Sequence, residues 1–209
     1  MYTKTKKLIS TLLALALVLS LFVAMPVTAL AANETVLAAG FNSIPGLTAL
    51  ADTTDHTVTV TGNLTTAVST PLPIDSGVKI IWKANYTAAS DDPLITINGS
   101  GTFEVVAGGT IANTGNGRAI QADGANTITV SGGTVSGKRV VIATIGANAT
   151  VNVSGGSVTG TGNYNTIQAS GNNATINVSG GSITGKGNIL MSAAGGTVNV
   201  SGGKVSRKL

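Results

Sequence analysis

Apolar and polar residues alternate in short segments along the second half of the chain. Four segments share one pattern, in which a threonine, an aliphatic residue, a polar residue and a valine precede Ser-Gly-Gly. These segments are residues 127–133, 150–156, 175–181 and 197–203. Alternation over a few residues bounded by glycine is typical of β-strands, because successive side chains of a strand point to opposite faces of the sheet. The pattern therefore predicts strands over this region.

Two further short pieces complete each unit, and the unit then recurs. A second strand-like piece follows each glycine pair, as at residues 134–137, and a third apolar piece follows that, as at residues 142–144. Residues 102–109 fit one earlier unit, and residues 78–82 and 57–60 are fainter copies. The four well-marked units begin 23, 25 and 22 residues apart. Such a period is typical of solenoids, so three strands per unit predict an all-β, single-stranded parallel β-helix of about six or seven coils.

The repeat also predicts which side chains form the core. The inward positions of two successive coils are all aliphatic: Ile128, Val130, Val135 and Ile142, followed by Val151, Val153, Val158 and Ile167. The outward positions are mostly Thr, Asn and Ser. The glycine pair at 155–156 and its equivalents are predicted to form corners that need a positive φ or a close approach of backbones.

The two ends of the repeat region differ. Residues 32–56 lack the repeat, but Leu37, Phe41 and Ile44 have helical spacing. They predict a short amphipathic helix from Glu34 to Ile44 that caps the first coil, because a bare end would expose core and an unpaired strand edge. The sequence stops at Leu209, partway through a coil, and we therefore expect end-to-end self-association through an uncapped C-terminal coil as one option.

The first 31 residues have the pattern of a signal peptide. Lys4, Lys6 and Lys7 precede an apolar run over residues 8–23, and Ala29-Leu30-Ala31 is a small-residue cleavage site. The alternative is an N-terminal membrane anchor. We expect a secreted or cell-surface protein with no membrane span after removal of the signal.

Composition then excludes several classes of protein. The formal net charge is +4, but three of the 12 basic residues belong to the signal, which leaves nine against eight acidic residues and a net charge of +1. That balance is poor evidence for a nucleic-acid partner, and we expect none. With no Cys and a single His, His56, we expect no disulfide, no metal site and no cofactor. No acidic or Ser partner could be placed beside His56, which we interpret as a surface residue.

The repeats resemble those of a known group of proteins. Residues 127–137 (TITVSGGTVSG), 150–162 (TVNVSGGSVTGTG) and 175–187 (TINVSGGSITGKG) are similar to the right-handed parallel β-helix repeats of secreted bacterial surface proteins. That group is similar in fold to pectate lyases and to adhesin-like or carbohydrate-binding modules, and the resemblance covers residues 57–206. Enzymes of this fold are expected to carry acidic clusters for Ca²⁺. Here only Asp91 and Asp92 are adjacent, so we expect a protein that is not an enzyme.

A row of basic residues is the first candidate site. Counting back from the inward residue of each third strand gives five residues at one predicted corner, here called the basic strip: Arg118, Lys138, Arg139, Tyr164 and Lys186. Cations in a row with one aromatic ring can bind a polyanion or a sugar polymer. The alternative is that corners carry charges only for solubility.

Two other candidates depend on exposure. Trp82 and Tyr86 flank a predicted irregular insertion over residues 86–92 and would form a sugar platform if exposed; otherwise Trp82 packs as local core. The outward Thr and Asn residues on the first strand of each unit, such as Thr150 and Asn152, resemble an ice-binding face. The alternative is that they form an ordinary outward strand face.

The sequence thus predicts a signal peptide at 1–31, a cap segment at 32–56 and a parallel β-helix at 57–209. The predicted function is a non-catalytic surface module that binds polysaccharide or acts as an adhesin. The alternatives are a polysaccharide lyase or hydrolase, a structural stalk and an ice-binding solenoid.

Overall fold

A computed structural model describes residues 34–68, 70–192 and 195–208. The predicted signal peptide at 1–31 lies outside the described residues. Within these ranges, helix α1 (Glu34–Asn42) precedes the strands. In chain order the strands are β1 (Leu47–Asp52), β2 (Thr57–Leu64), β3 (Thr70–Ile74), β4 (Lys79–Trp82), β5 (Asn85–Ala88), β6 (Ile95–Gly99), β7 (Thr102–Val105), β8 (Thr110–Asn113), β9 (Ile120–Ala122), β10 (Thr127–Val130), β11 (Thr134–Gly137), β12 (Ile142–Thr144), β13 (Thr150–Val153), β14 (Ser157–Gly160), β15 (Ile167–Ala169), β16 (Thr175–Val178), β17 (Ser182–Gly185), β18 (Leu190–Ser192), β19 (Thr197–Val200) and β20 (Lys204–Arg207).

The strands stack in three columns, and each coil contributes one strand to each column. Face 1 runs from β2 through β4, β7, β10, β13 and β16 to β19, and face 2 runs from β2 through β5, β8, β11, β14 and β17 to β20. Face 3 has the order β3, β6, β9, β12, β15, β18. The long strand β2 joins faces 1 and 2, since its first half pairs with β4 and its last two residues pair with β5. The chain is therefore a parallel β-solenoid of about six turns, which confirms the predicted fold.

Equivalent positions of successive coils lie directly above one another. Thr127 pairs with Thr150, which pairs with Thr175, so these coils are 23 and 25 residues long, as predicted. The fainter copies also align, because Thr102 pairs with both Thr127 and Lys79. Stacked strands in a sheet are about 4.8 Å apart, so position in the sequence translates directly into position along the solenoid axis.

The core is a continuous column of the predicted inward residues. Ile128, Val130, Val135 and Ile142 are fully buried, and the equivalent positions of the next coil are also fully buried. Near the N-terminal end the column becomes aromatic, and Trp82 lies at the centre of this part of the core. Its ring centroid is 6.0 Å from that of Phe41, 6.4 Å from that of Tyr86 and 5.8 Å from that of Phe103.

The predicted helix covers the first coil, and a strand accompanies it. Helix α1 buries Leu37 and Phe41 in the core cluster and ends two residues before the predicted Ile44. Strand β1 was not predicted; it pairs antiparallel with β2 and covers its free edge. On face 3 the first strand is β3, where Pro71 and Pro73 have no N–H to donate. Proline is one of the devices by which proteins protect edge strands.

An ion pair connects the cap helix to the turn between β1 and β2. His56 Nδ1 lies 3.3 Å from Glu34 Oε1, so the expectation that His56 has no acidic partner was wrong. The two residues are 22 positions apart and meet only because the helix folds over the first coil. His56 also has a positive φ of 51°, an uncommon conformation for a residue other than glycine.

The pKa of Glu34 makes the cap sensitive to acid. A backbone hydrogen bond holds this pKa below its ordinary value of 4.5, and the hydrogen bond and charge of His56 add to the effect, whereas burial opposes it. A lowered carboxyl pKa stabilises the fold above the ordinary pKa, and this contribution is lost as pH falls through the lowered pKa.

We therefore expect the free energy of unfolding of Glu34→Gln to fall less between neutral and acidic pH than that of the wild type. Urea unfolding of both proteins between about pH 7 and pH 3 measures this, and two parallel curves would contradict it.

Candidate functional site

The basic strip lies at the corner where the chain leaves face 2 and enters face 3. In one coil β11 ends at Gly137 and β12 begins at Ile142, with Lys138 and Arg139 between them. Backbone hydrogen bonds hold the corners one above another: the N–H of Thr161 donates to Gly137 O at 2.9 Å, and that of Lys208 donates to Gly185 O at 2.8 Å. Residues from successive coils are thus lined up along one edge of the solenoid.

Two arginines of the basic strip share one depression. Arg118 and Arg139 come from successive coils, and together they line a surface cavity of about 220 Å³. The other lining residues are Asp91, Pro93, Asn116, Gly117 and Gln121. Gly117 is buried in this floor, where a β-carbon would overlap the carbonyl oxygen of Asp92. Close stacking of two corners therefore shapes the depression.

The Arg118 side chain is held by a relay of hydrogen bonds. Its Nη1 donates to Gln121 Oε1, and Gln121 Nε2 donates to Asp123 Oδ1 at 2.8 Å. The carboxylate can only accept, so it fixes which end of the Gln121 amide faces Arg118. The guanidinium is thus oriented without being neutralised by direct contact with an acid.

Arg139 is held in a different way. Its guanidinium carbon lies 5.3 Å from the centroid of the Tyr164 ring, one coil further along the axis. A cation–π contact at an exposed site contributes about 0.5–1 kcal/mol. Tyr164 remains 51% exposed, so an aromatic surface and a cation are presented side by side.

Asp91 also lines the depression, and its carboxylate is a hydrogen-bond acceptor. Asp91 Oδ1 accepts a hydrogen bond from Asn116 Nδ2 at 3.0 Å. Among the described residues the ion pairs are His56 with Glu34 and Lys79 with Glu104, so no described carboxylate lies within ion-pair distance of Arg118 or Arg139. Hydrogen-bond donors, hydrogen-bond acceptors and two arginines without a described ion-pair partner therefore line the same depression.

The strip continues toward the C-terminal coils. Lys138 and Lys186 are both exposed, and Lys186 O accepts a hydrogen bond from Arg207 Nε at 2.8 Å. Lys208 was not predicted, although it is the equivalent of Lys186: Arg207 at the end of β20 pairs with Gly185, and Lys208 follows it. Counting through β20 to the same corner would have found Lys208.

The aromatic platform is wrong and the alternative, that Trp82 packs as local core, is confirmed, because both rings are buried. Trp82 is 0% exposed and Tyr86 1%. Trp82 Nε1 donates to Thr110 O at 3.2 Å, and the Tyr86 hydroxyl donates to Val68 O at 2.9 Å. Burial raises the pKa of Tyr86 above its ordinary value of 10.0, and its backbone hydrogen bond opposes the shift. The predicted irregular insertion over residues 86–92 begins instead as strand β5.

The outward ladder on face 1 has its own hydrogen bonds. Asn177 Nδ2 donates to Asn152 Oδ1, and Asn199 Nδ2 donates to Asn177 Oδ1, each at 2.9 Å. The amides therefore satisfy one another along the axis. This arrangement is typical of a ladder that holds coils together, and it favours the ordinary strand face over a surface that binds through these amides.

Comparisons with known proteins give no relative of this parallel β-solenoid. No protein-family model, no curated protein and no solved structure matches the chain. Within residues 34–68, 70–192 and 195–208 there is no group of three or more His, Cys, Asp or Glu residues placed to hold a metal ion. Over the same ranges no helix has the length and apolar character needed to cross a membrane.

Proposed function

We propose that the protein is a secreted or cell-surface, non-catalytic module that binds a polysaccharide through the basic strip. The observation that carries this proposal is the arrangement of Arg118, Arg139 and Tyr164. Two arginines line one depression, and one of them stacks on a half-exposed ring. Export is supported by the signal-peptide pattern of residues 1–31.

The chemistry of the depression suits a sugar. Sugar hydroxyls both donate and accept hydrogen bonds, and the depression offers guanidinium donors from Arg118 and Arg139 beside acceptors from Asp91 and Gln121. A sugar ring also presents an apolar face, and Tyr164 offers a flat apolar surface beside the depression. The parallel alignment of corners provides the same kind of edge over several coils, which suits a polymer better than a single small molecule.

The depression lacks the pair of carboxylates that glycoside hydrolysis commonly uses. Such enzymes place two carboxyl groups about 5–10 Å apart on either side of the bond that is cleaved. Asp91 is the one carboxylate among the described lining residues, and it is already hydrogen-bonded to Asn116. This supports binding without turnover.

The absence of turnover is tested by incubating the protein with each polysaccharide that it binds and then assaying for new chain ends. Sustained release of fragments would overturn the proposal that the protein is non-catalytic.

Removing both arginines is expected to weaken polysaccharide binding at least tenfold. A hydrogen bond to a charged group contributes about 1.5–3 kcal/mol, so Arg118→Ala with Arg139→Ala removes enough for such a loss. Affinity electrophoresis or calorimetry on a panel of soluble polysaccharides gives the measurement.

Lys83→Ala is the control, because Lys83 is exposed and lies outside the basic strip. This variant is expected to bind like the wild type. If the double variant retained wild-type affinity for a polysaccharide that the protein binds, the basic strip would not be the site.

A further inference from the structure

Acidic and basic residues are segregated along the chain. All eight acidic residues occur at or before Asp123. Residues 34–123, here called the acidic half, carry three basic residues against these eight, a net charge of −5. Residues 124–208, here called the basic half, carry six basic residues and no acidic one, a net charge of +6. The small net charge of residues 34–208 is therefore the sum of two opposite charges of similar size.

The solenoid converts this segregation into a separation in space. Each coil advances the chain by about 4.8 Å along the axis, so the centres of the two halves, about three coils apart, are about 15 Å from each other. The Debye length at physiological ionic strength is about 8 Å. The positive field of the basic half is therefore only weakly compensated by the acidic half.

Most cations of the basic half lie at one corner. Four of its six basic residues occupy the corner of the basic strip (Lys138, Arg139, Lys186 and Lys208), and a fifth, Arg207, is the last residue of β20 beside it. All five are exposed. The same corner carries the exposed acids Asp91 and Asp92 near its N-terminal end. The corner therefore changes from negative to positive along the axis.

Solubility alone does not require this pattern. A soluble surface is well served by both signs of charge interspersed, whereas like charges concentrated on one edge repel each other and destabilise the fold. An anionic ligand would remove that repulsion. Its charges would have to recur along the axis at intervals of one or two coils, about 5–10 Å, to meet successive cations.

We propose that the ligand of the basic strip is a linear polyanionic glycan that lies along the solenoid axis over the basic half. This proposal rests on the proposed function and adds the charge and the direction of the polymer. Lys138, Lys186 and Lys208 contact successive anionic groups, Arg139 and Arg118 bind one such group in the depression, and Asp91 and Asp92 limit the site at its acidic end.

Binding to defined polymers tests the proposal. Alginate carries carboxylates, dextran sulfate carries sulfates and phosphomannan carries phosphates, so these three glycans distinguish the source of the charge, and dextran is the neutral probe. We expect binding to at least one anionic polymer, none to dextran, and a loss of at least about tenfold in affinity between about 50 and 200 mM salt as counterions return.

Charge-removing variants locate the site. Lys138→Gln, Lys186→Gln and Lys208→Gln together are expected to lower affinity at least tenfold, whereas Lys83→Gln in the acidic half leaves it unchanged. Circular dichroism and thermal unfolding establish that the triple variant is folded. A folded triple variant with unchanged affinity would overturn the assignment to the basic half.

The outcomes separate this proposal from the one on which it rests. Salt-independent binding of dextran alone would overturn the polyanion and leave a polysaccharide-binding module. Binding of none of the polymers would overturn both proposals. Tighter binding of single-stranded DNA than of any glycan would overturn the assignment to a glycan.

Discussion

Replacing Trp82 by alanine is expected to lower the free energy of unfolding by about 3–5 kcal/mol. The indole is fully buried and contacts Phe41 from the cap helix and Phe103 from the next coil. Its loss leaves a cavity where the cap meets the solenoid and leaves Thr110 O without the hydrogen bond from Nε1. The cost therefore combines lost burial, lost ring contacts and one lost hydrogen bond.

Urea unfolding followed by circular dichroism measures this change. Tyr164→Ala is the matched control, because it removes an aromatic ring that is 51% exposed and makes one cation–π contact. We expect that control to cost about 1 kcal/mol or less. A loss below about 1 kcal/mol for Trp82→Ala would contradict the position of this ring at the centre of the N-terminal core.

Replacing Gly171 by alanine is expected to cost about 1–3 kcal/mol through overpacking. Four stacked glycines, Gly99, Gly124, Gly146 and Gly171, form a column at the corner between faces 3 and 1. A β-carbon on Gly124 would overlap Gly99 O, one on Gly146 would overlap Gly124 O, and one on Gly171 would overlap Gly146 O. The obstacle is backbone of the coil below, which cannot move without breaking the ladders that stack the coils.

Gly40→Ala is the control for this prediction. Gly40 lies in α1, where a β-carbon would meet nothing within 4 Å, so alanine is expected to stabilise the helix by about 0.5–1 kcal/mol. The two substitutions make the same chemical change and have opposite expected signs. Equal stability of Gly171→Ala and the wild type would show that the coils are not packed as closely as described.

The coil itself could be predicted because its signal recurs. Strict alternation places Ile128 and Val130 inward and Thr127 and Thr129 outward, and the same choice returns in each unit. A solenoid stacks each strand on its equivalent in the next coil, so the repeat also predicts the register. Less regular elements gave no such signal. Strand β3 contains two prolines, which are unusual in a strand except at an edge.

Burial of the aromatic pair was not predicted, although the repeat carried part of the signal. Trp82 has the same register as the inward residues Val105 and Val130, so the alternation of the fainter copy over residues 78–82 places it in the core. The repeat could not predict the contact of Trp82 with Phe41, because Phe41 is far away in the chain and arrives only when the cap helix folds onto the first coil. The same holds for His56, whose acidic partner Glu34 lies at the start of that helix.

The candidate site could be predicted in part. Counting along the repeat found the residues of the basic strip, because corner positions follow from strand positions. It could not predict that Arg139 stacks on Tyr164, or that Arg118 is oriented through Gln121, because these depend on side-chain conformations across coils. The charge segregation was visible in the sequence, but it has physical meaning only once chain position is known to correspond to axial position.

The architecture separates the residues that hold the fold from those proposed to bind. Inward aliphatic residues and stacked glycines maintain the coil, whereas the corner of the basic strip projects exposed side chains from a framework fixed by backbone ladders. Substitutions at Lys138 or Lys186 are therefore expected to change binding with little change in stability, because surface substitutions usually change stability by about 0.5 kcal/mol or less.

Mapping the bound polymer by nuclear magnetic resonance tests the proposed site most directly. Backbone amide shifts of the isotope-labelled protein are followed while the anionic polymer that binds is added at low salt. We predict that shifts concentrate at the corner of the basic strip, around Arg118, Arg139 and Lys186, and that the outward ladder of face 1 around Asn177 stays unchanged. Shifts confined to face 1, or spread evenly over all three faces, would contradict binding through the basic strip.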